Sequence, residues 1–309
     1  MTKRLTDEEK QAIRADLAAY VETYGSQSKA ATSLKKTSAG TVSCVLNGRF
    51  ENISDEMLLN IAAQIGHTGG EGWQICRTSA YRDLETFFQD AQMYHNVSWI
   101  VAPAGIGKTT AAQRYASRGG SVFVLGCSED MHKSDFVDEL ARRIGVRSDG
   151  LTVRGTLNRI VESLVKTRNP LLVFDEADKL TDSVLYYFIS LYNRLEGKCG
   201  IVFLSTQYIE RRMSRGLRLD RKGYEELYSR IGRRFVTLTG ISASEVNAIC
   251  RSNGLEDEAA IRRVLEESSE SRKGRPEFDL RRVKKSVHKE MRIASAARLG
   301  EQGQGRGRV

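Results

Sequence analysis

Apolar positions along the chain change period twice, and the changes divide it into three parts. Up to residue 66 they recur at helical spacing. Ile13, Leu17, Tyr20, Val21 and Tyr24 follow a Thr6–Glu9 capping box and stop at Gly25. Two short segments come next, Ser26–Leu34 and Ser38–Gly48, with a turn between them, and a last helix, Ser54–Ile65, ends at Gly66. The stretch His67-Thr-Gly-Gly-Glu-Gly72 has linker composition. An amphipathic helix is expected over Ser79–Met93, with Tyr81, Leu84, Phe87, Phe88 and Ala91 on one side.

Nearly all-apolar runs then alternate with helical patterns. The expected strands are Val97–Val101, Ser121–Leu125, Leu171–Phe174, Gly200–Leu204 and Arg234–Leu238. The expected helices are Gly107–Ala116, Ser134–Ile144, Thr152–Lys166, Ser183–Glu196 and Tyr224–Ile231. This alternation predicts an α/β fold with a parallel five-stranded sheet covered on both faces. From Ser242 the pattern becomes purely helical, over Ser242–Ser252, Glu256–Glu267 and Phe278–Leu299. The domain boundaries expected are 1–66 (all-α), 67–77 (linker), 78–240 (α/β core), 241–299 (helical lid) and 300–309, a Gly-rich basic tail that reads as disordered.

The first strand leads into Ala102-Pro103-Ala104-Gly105-Ile106-Gly107-Lys108-Thr109-Thr110. Glycines let successive backbone N–H groups turn toward phosphate oxygens, and the next helix adds the positive end of its dipole. Residues Pro103 to Thr110 are therefore the candidate cradle for ATP. Lys108 is placed to reach the β- and γ-phosphates and Thr109 to hold Mg²⁺. The pattern G-x-x-x-x-G-K-[ST] departs only at Ala102, a small residue that shapes the turn and supplies no ligand.

The third strand, Leu171-Leu-Val-Phe, delivers Asp175 and Glu176 to its C-terminal end, where ligands sit in open α/β sheets. Asp175 is the second candidate Mg²⁺ ligand, and Glu176 the candidate base for the attacking water. The fourth strand ends in Ser205-Thr206-Gln207, of which Thr206 is favoured to bridge that water or the γ-phosphate, with Ser205 and Gln207 open. Two arginine positions complete the candidate machinery. Arg230, with Arg233 in reserve, lies before the fifth strand, where a side chain can enter a neighbouring subunit's site. Arg281, with Arg282 close behind, starts the last helix and can reach back over the nucleotide.

Charge adds a second ligand. The net charge of +9 is concentrated in residues 271–309, with 12 Lys/Arg against 4 Asp/Glu, and in residues 206–235, with 9 against 4. Clustered cations of this kind suit a polyanion, most often nucleic acid. In the N-terminal part, Ala30 and Ala31 permit a close helix crossing, while Thr37, Ser38, Thr41, Ser43 and Asn47 are expected to face a major groove. The five scattered cysteines have neither disulfide nor zinc spacing, and none of the four histidines has a metal-ligand partner. No run approaches a membrane span and no signal peptide is evident, so a cytoplasmic protein with no membrane association is expected.

The segment Ser26–Gly48, with its Thr41-Val-Ser-Cys-Val-Leu-Asn-Gly48 ending, resembles the repressor-type helix-turn-helix family. The loop, acid pair, polar strand end, edge arginine and arginine-bearing lid together resemble an AAA+ P-loop ATPase. With the helix-turn-helix in front, the arrangement is similar to the phage Mu B transposition-protein family, most specifically in Pro103-Ala-Gly-Ile-Gly-Lys-Thr109, Val173-Phe-Asp-Glu-Ala-Asp178 and Ser229-Arg-Ile231.

That resemblance implies ATP and Mg²⁺ as cofactors and double-stranded DNA, a transposase and further copies of the chain as partners. It also implies filaments or rings on DNA that ATP hydrolysis releases. It carries Lys108, Thr109, Asp175 and Glu176 over directly, and puts Thr206 where the family commonly has Asn. DNA contacts in the core then fall to Arg211, Arg212, Arg215, Arg218, Arg221 and Lys222, in a glycine-bearing loop expected to order on DNA or between subunits. Two rival readings share parts of this picture: a replication-initiation or helicase-loading ATPase, and a DNA-binding regulator switched by nucleotide.

Overall fold

The computed structural model describes residues 5–65, 73–272 and 275–305. Residues 66–72, most of the expected linker, and 306–309, the end of the expected tail, lie outside the described residues.

The chain forms two compact units. The first takes residues up to the end of the N-terminal helices, Leu84–Ala102 and Lys108–Thr237. It opens with α1 (Asp7–Tyr24), α2 (Gln27–Ser33), α3 (Ala39–Leu46) and α4 (Asp55–Ile65). The reciprocal Thr6–Glu9 capping box is formed at the head of α1, and Gly25 ends the helix at φ 67°. Ile13, Leu17, Ala31, Leu34, Val42, Val45, Leu58 and Ile61 make one small core, which includes the periodic positions Ile13 and Leu17 read from the sequence.

Next come α5 (Ser79–Tyr94), β1 (Val97–Val101), α6 (Lys108–Ser117), β2 (Val122–Gly126), α7 (Lys133–Ile144), α8 (Val153–Lys166) and β3 (Leu171–Asp175). The unit is completed by α9 (Asp182–Leu195), β4 (Gly200–Ser205), α10 (Tyr208–Arg218), α11 (Tyr224–Arg230) and β5 (Val236–Thr237). The strands pair in the order β2-β3-β4-β1-β5, all parallel. Both β3 and β4 are buried along their whole length, which is why they read as continuous apolar runs. Gly200 allows α5 to cross β4 closely: a Cβ there would stand 2.2 Å from the Ala91 carbonyl oxygen. The last strand is shorter than expected, Val236–Thr237, and follows an Arg233 at φ 57°.

The N-terminal helices and the sheet share this unit. Tyr24 of α1 meets Phe123 of β2 edge-on, and Arg142 of α7 donates to the Ser33 carbonyl. One difference from the sequence reading lies at α10. The arginine-rich stretch expected as a loop is a helix through Arg218. Ile209, Met213 and Gly216 fall on its buried side, a stripe too thin to stand out among four arginines.

The second unit takes Trp73–Asp83, Pro103–Gly107 and the chain from Leu238. It contains α12 (Ala243–Ser252), α13 (Glu258–Ser268), β6 (Ser269–Arg272), β7 (Arg275–Phe278) and α14 (Leu280–Gly305). The antiparallel β6–β7 hairpin corrects the expectation of purely helical structure after Ser242. The helix α14 also runs on to Gly305, into the stretch expected to be disordered. The described end of the expected linker is anchored: Gln74 and Asn253 exchange two hydrogen bonds, and Cys76 Sγ lies 2.7 Å from Ser252 Oγ. Among the described residues no helix is long and apolar enough to cross a membrane.

Candidate nucleotide site

Three parallel strand ends bring the candidate residues of the first unit together. The apolar run of β1 ends at Ala102, whose N–H donates to the Ser205 carbonyl. Ala102 is fully buried and is not among the residues of positive φ, so this position has no need of glycine. Gly105 and Gly107, by contrast, sit at φ 77° and 97°, where a side chain is strained. Lys108 starts α6, is buried, and its Nζ donates to the Ala102 carbonyl at 2.8 Å.

Thr109, next along α6, donates its hydroxyl to Asp175 Oδ2 at 2.5 Å. The two expected Mg²⁺ ligands thus meet at one point. A hydroxyl and a carboxylate suit a cation that takes oxygen ligands and keeps waters and phosphate oxygens in its remaining positions. Burial pushes the Asp175 carboxyl above its ordinary range; Glu176 adds to this, and the Thr109 hydroxyl opposes it. The pair borders a cavity of about 420 Å³ walled also by Gln113, Gly126, Arg142 and Gln64. When bound, Mg²⁺ would neutralise phosphate charge there.

Glu176 leaves the strand in the left-handed region, at φ 56° and ψ 36°. For a residue with a Cβ this costs roughly 1–3 kcal/mol, and it turns the carboxylate away from the line of β3. Glu176 Oε2 accepts from Lys179 Nζ at 2.7 Å, and both side chains remain substantially exposed. At the neighbouring strand end the three polar residues separate. Ser205 is buried and its Oγ accepts from the Trp99 indole at 2.8 Å, a structural bond within the sheet. The Thr206 hydroxyl donates to Asp178 Oδ2 at 2.5 Å, while Gln207 is exposed. Thr206 is therefore the polar group joined to the acid-bearing loop, through Asp178.

Arg230 is half-buried, donates to Asn193 and Glu226, and lies over the Tyr192 ring. Its reserve Arg233 pairs with Glu225 and is more exposed. In the second unit, Leu280 N–H donates to the Gly105 carbonyl at 2.8 Å, and a Cβ on Gly105 would strike the Asp279 carboxylate. Arg282 is spent on Glu270 and the Glu267 carbonyl, whereas Arg281 is exposed.

Among the expected DNA contacts, Arg211, Arg215 and Arg218 lie exposed along α10. Arg212 does not join them: its side chain is 14% exposed and pairs with Asp182, because it falls on the helix flank. In the N-terminal helices Ser38 caps α3 through the Thr41 N–H. Thr37, Thr41 and Ser43 are half-buried, and Asn47 donates back to the Ser43 carbonyl. Sequence reasoning gave no role to Asp178, which it placed in the acid motif, and did not single out Lys179 and Asp182 in the run Asp175-Glu-Ala-Asp-Lys-Leu-Thr-Asp182. Among the described residues no cluster of three His, Cys, Asp or Glu side chains forms a metal site, and the five cysteines are free thiols.

Residues 91–213 match the family model of the AAA domain. Among curated proteins the chain is similar to the Mu-like prophage FluMu DNA transposition protein B of Haemophilus influenzae. They are 23% identical over 240 residues, 75% of this chain and 82% of that protein. The solved Aeropyrum pernix ORC1 protein in complex with DNA aligns at TM-score 0.45 and 17% identity, covering 69% of this chain and 59% of that one. A Thermotoga maritima RuvB mutant aligns at TM-score 0.38 and 18% identity, covering 69% and 67%.

Proposed function

We infer that this chain, a Mu B-like AAA ATPase, hydrolyses ATP with Mg²⁺ while bound to double-stranded DNA, and acts in DNA transposition. The observation that carries the reading is the meeting of Thr109 and Asp175 at 2.5 Å, beside Lys108 and Glu176, in a chain similar over most of its length to a transposition protein. Lys108 and the backbone of Pro103 to Thr110 hold the phosphates, and Thr109 with Asp175 holds the metal. Glu176 takes the proton of the attacking water, with Thr206 in support.

The finer parts follow from the same reading. Arg230, with Arg233 as its alternative, serves the site of a neighbouring copy, and Arg281 closes on the nucleotide from the helical lid. Thr37, Ser38, Thr41, Ser43 and Asn47 form a helix-turn-helix contact surface in a domain ending near residue 66. Arg211, Arg215 and Arg218 hold phosphates of DNA threaded along an oligomer or filament. Assembled protein recruits and stimulates a transposase in the cytoplasm, and hydrolysis releases it.

The test is ATP turnover with and without nonspecific duplex, together with electron microscopy of the mixture. ATP-dependent assemblies on duplex of arbitrary sequence, with DNA-stimulated turnover, are expected. A discrete complex at one sequence, without turnover, would overturn the reading.

A further inference from the structure

The helix α10 has two faces and a committed flank. Ile209, Met213 and Gly216 pack inward, while Arg211, Arg215 and Arg218 stand exposed. Arg212 lies between these faces, and its whole guanidinium fork is spent on one loop and one ring. Nη1 donates to the Leu180 carbonyl at 2.6 Å and to the Asp178 carbonyl at 3.2 Å. Nη2 pairs with Asp182, and Nε donates to the Tyr224 hydroxyl at 3.2 Å, which itself donates to Asp182 Oδ1 at 2.8 Å. Burial alone would raise the Asp182 carboxyl, but Arg212 and Tyr224 hold it below its ordinary range.

The clamped loop is the one that begins at Glu176. It continues through the 3₁₀ turn Ala177–Lys179 to Asp182. Its Asp178 carboxylate takes the Thr206 hydroxyl two residues before α10 starts. The helix is thus tied to the loop twice, at its N-terminal approach and at its second turn. Slack is removed on the other side too, since a Cβ on Gly216 would lie 2.1 Å from the Tyr224 ring. A close-packed helix shifts as a body, because its packed neighbours leave no room for local give.

We propose that Arg212 is a positioning residue that carries DNA engagement on the outer face of α10 to the loop bearing Glu176 and Asp178. Arg211 and Arg212 are adjacent in the chain and about 100° apart around the helix, so one meets phosphate while the other holds the catalytic loop. A lysine at 212 keeps the charge but cannot satisfy two carbonyls, a carboxylate and a hydroxyl together. The inference rests on the function proposed above and adds the route by which DNA acts on the site.

The experiment compares the full chain with Arg212→Lys, Asp182→Asn and Tyr224→Phe. It measures ATP turnover with and without nonspecific duplex, KM for ATP, and DNA affinity against salt. In Arg212→Lys and Asp182→Asn the DNA-stimulated kcat falls by about tenfold or more, with KM and the salt slope unchanged. Tyr224→Phe, which loses only a hydroxyl, falls in the same direction by less. Stimulation kept within about twofold in folded Arg212→Lys or Asp182→Asn overturns the proposal, as does a proportional loss of DNA affinity. Should those two variants not fold, undiminished stimulation in Tyr224→Phe overturns it. A wild-type protein without any DNA stimulation refutes the proposed function itself, which separates the two failures.

Discussion

The C-terminal end of β3 and the surface of α10 are both dense in charge, yet they hold it by different means. At β3, four buried apolar residues fix the strand, and Asp175 at its end is buried with them. Thr109 bonds to Asp175 there and Thr206 to Asp178, each at 2.5 Å. On α10 the arginines share one short helix, and their roles diverge with the direction each side chain takes. Chemistry held by a buried sheet is concentrated and intolerant of change. Chemistry spread along an exposed helix is additive, and each residue weakens it by a modest amount.

Substitutions can break this contrast. The largest effect belongs to the strand-end site. Lys108→Ala removes the buried cation from the loop and should weaken ATP binding by about a hundredfold or more, read by titration calorimetry. ATP-dependent assembly on DNA should vanish with it. A smaller and graded effect is expected on α10. Replacing Arg211, Arg215 and Arg218 together by Ala should flatten the slope of log affinity against log salt by about 2.7, or 0.9 per lost phosphate contact. Arg212→Ala should leave that slope as it is, since its guanidinium faces Asp182. An equal flattening by Arg212→Ala would erase the distinction between the two faces.

The smallest effect lies in the second unit. Burial alone would raise the Glu245 carboxyl, but the Ser79 and Ser242 N–H groups and their hydroxyls hold it down to about 2, from the usual 4.5. Its folded-state pKa is depressed, so the stability it lends is fully present above about pH 4.5 and is lost as pH falls toward 2. Glu245→Gln should lower the thermal midpoint by a few degrees at neutral pH, by roughly the amount a lost cap costs. The gap from wild type should close as pH falls through that window. A gap that does not change with pH would place the effect in packing and not in the carboxylate.

Much of this architecture was legible because the signals were local. The five strands stood out as apolar runs between turn residues, and the phosphate loop and acid pair were fixed by spacing. The first N-terminal helix announced itself through its Thr6–Glu9 capping box, which the structure forms. The helix α10 was hidden because Ile209, Met213 and Gly216 are a sparse stripe among arginines, so the run read as a basic loop. The hairpin of β6 and β7 carries Ser269-Glu-Ser-Arg272 on one side, with no apolar alternation to betray a strand. The inward turn of Arg212 depended on Asp182, thirty residues earlier in the chain, and helical phase alone does not name such a partner. Departures from pattern also misled less than expected. Ala102 replaces a motif glycine at a place where the backbone has no positive φ, so nothing is lost.

The most direct test of the hydrolytic site is single-turnover ATP cleavage by Glu176→Gln in the presence of nonspecific duplex, with ATP binding measured on the same sample. The account predicts cleavage slowed by about a hundredfold or more, ATP binding preserved, and the DNA-bound assembly trapped. Cleavage at the wild-type rate would contradict it and remove Glu176 from the role of base.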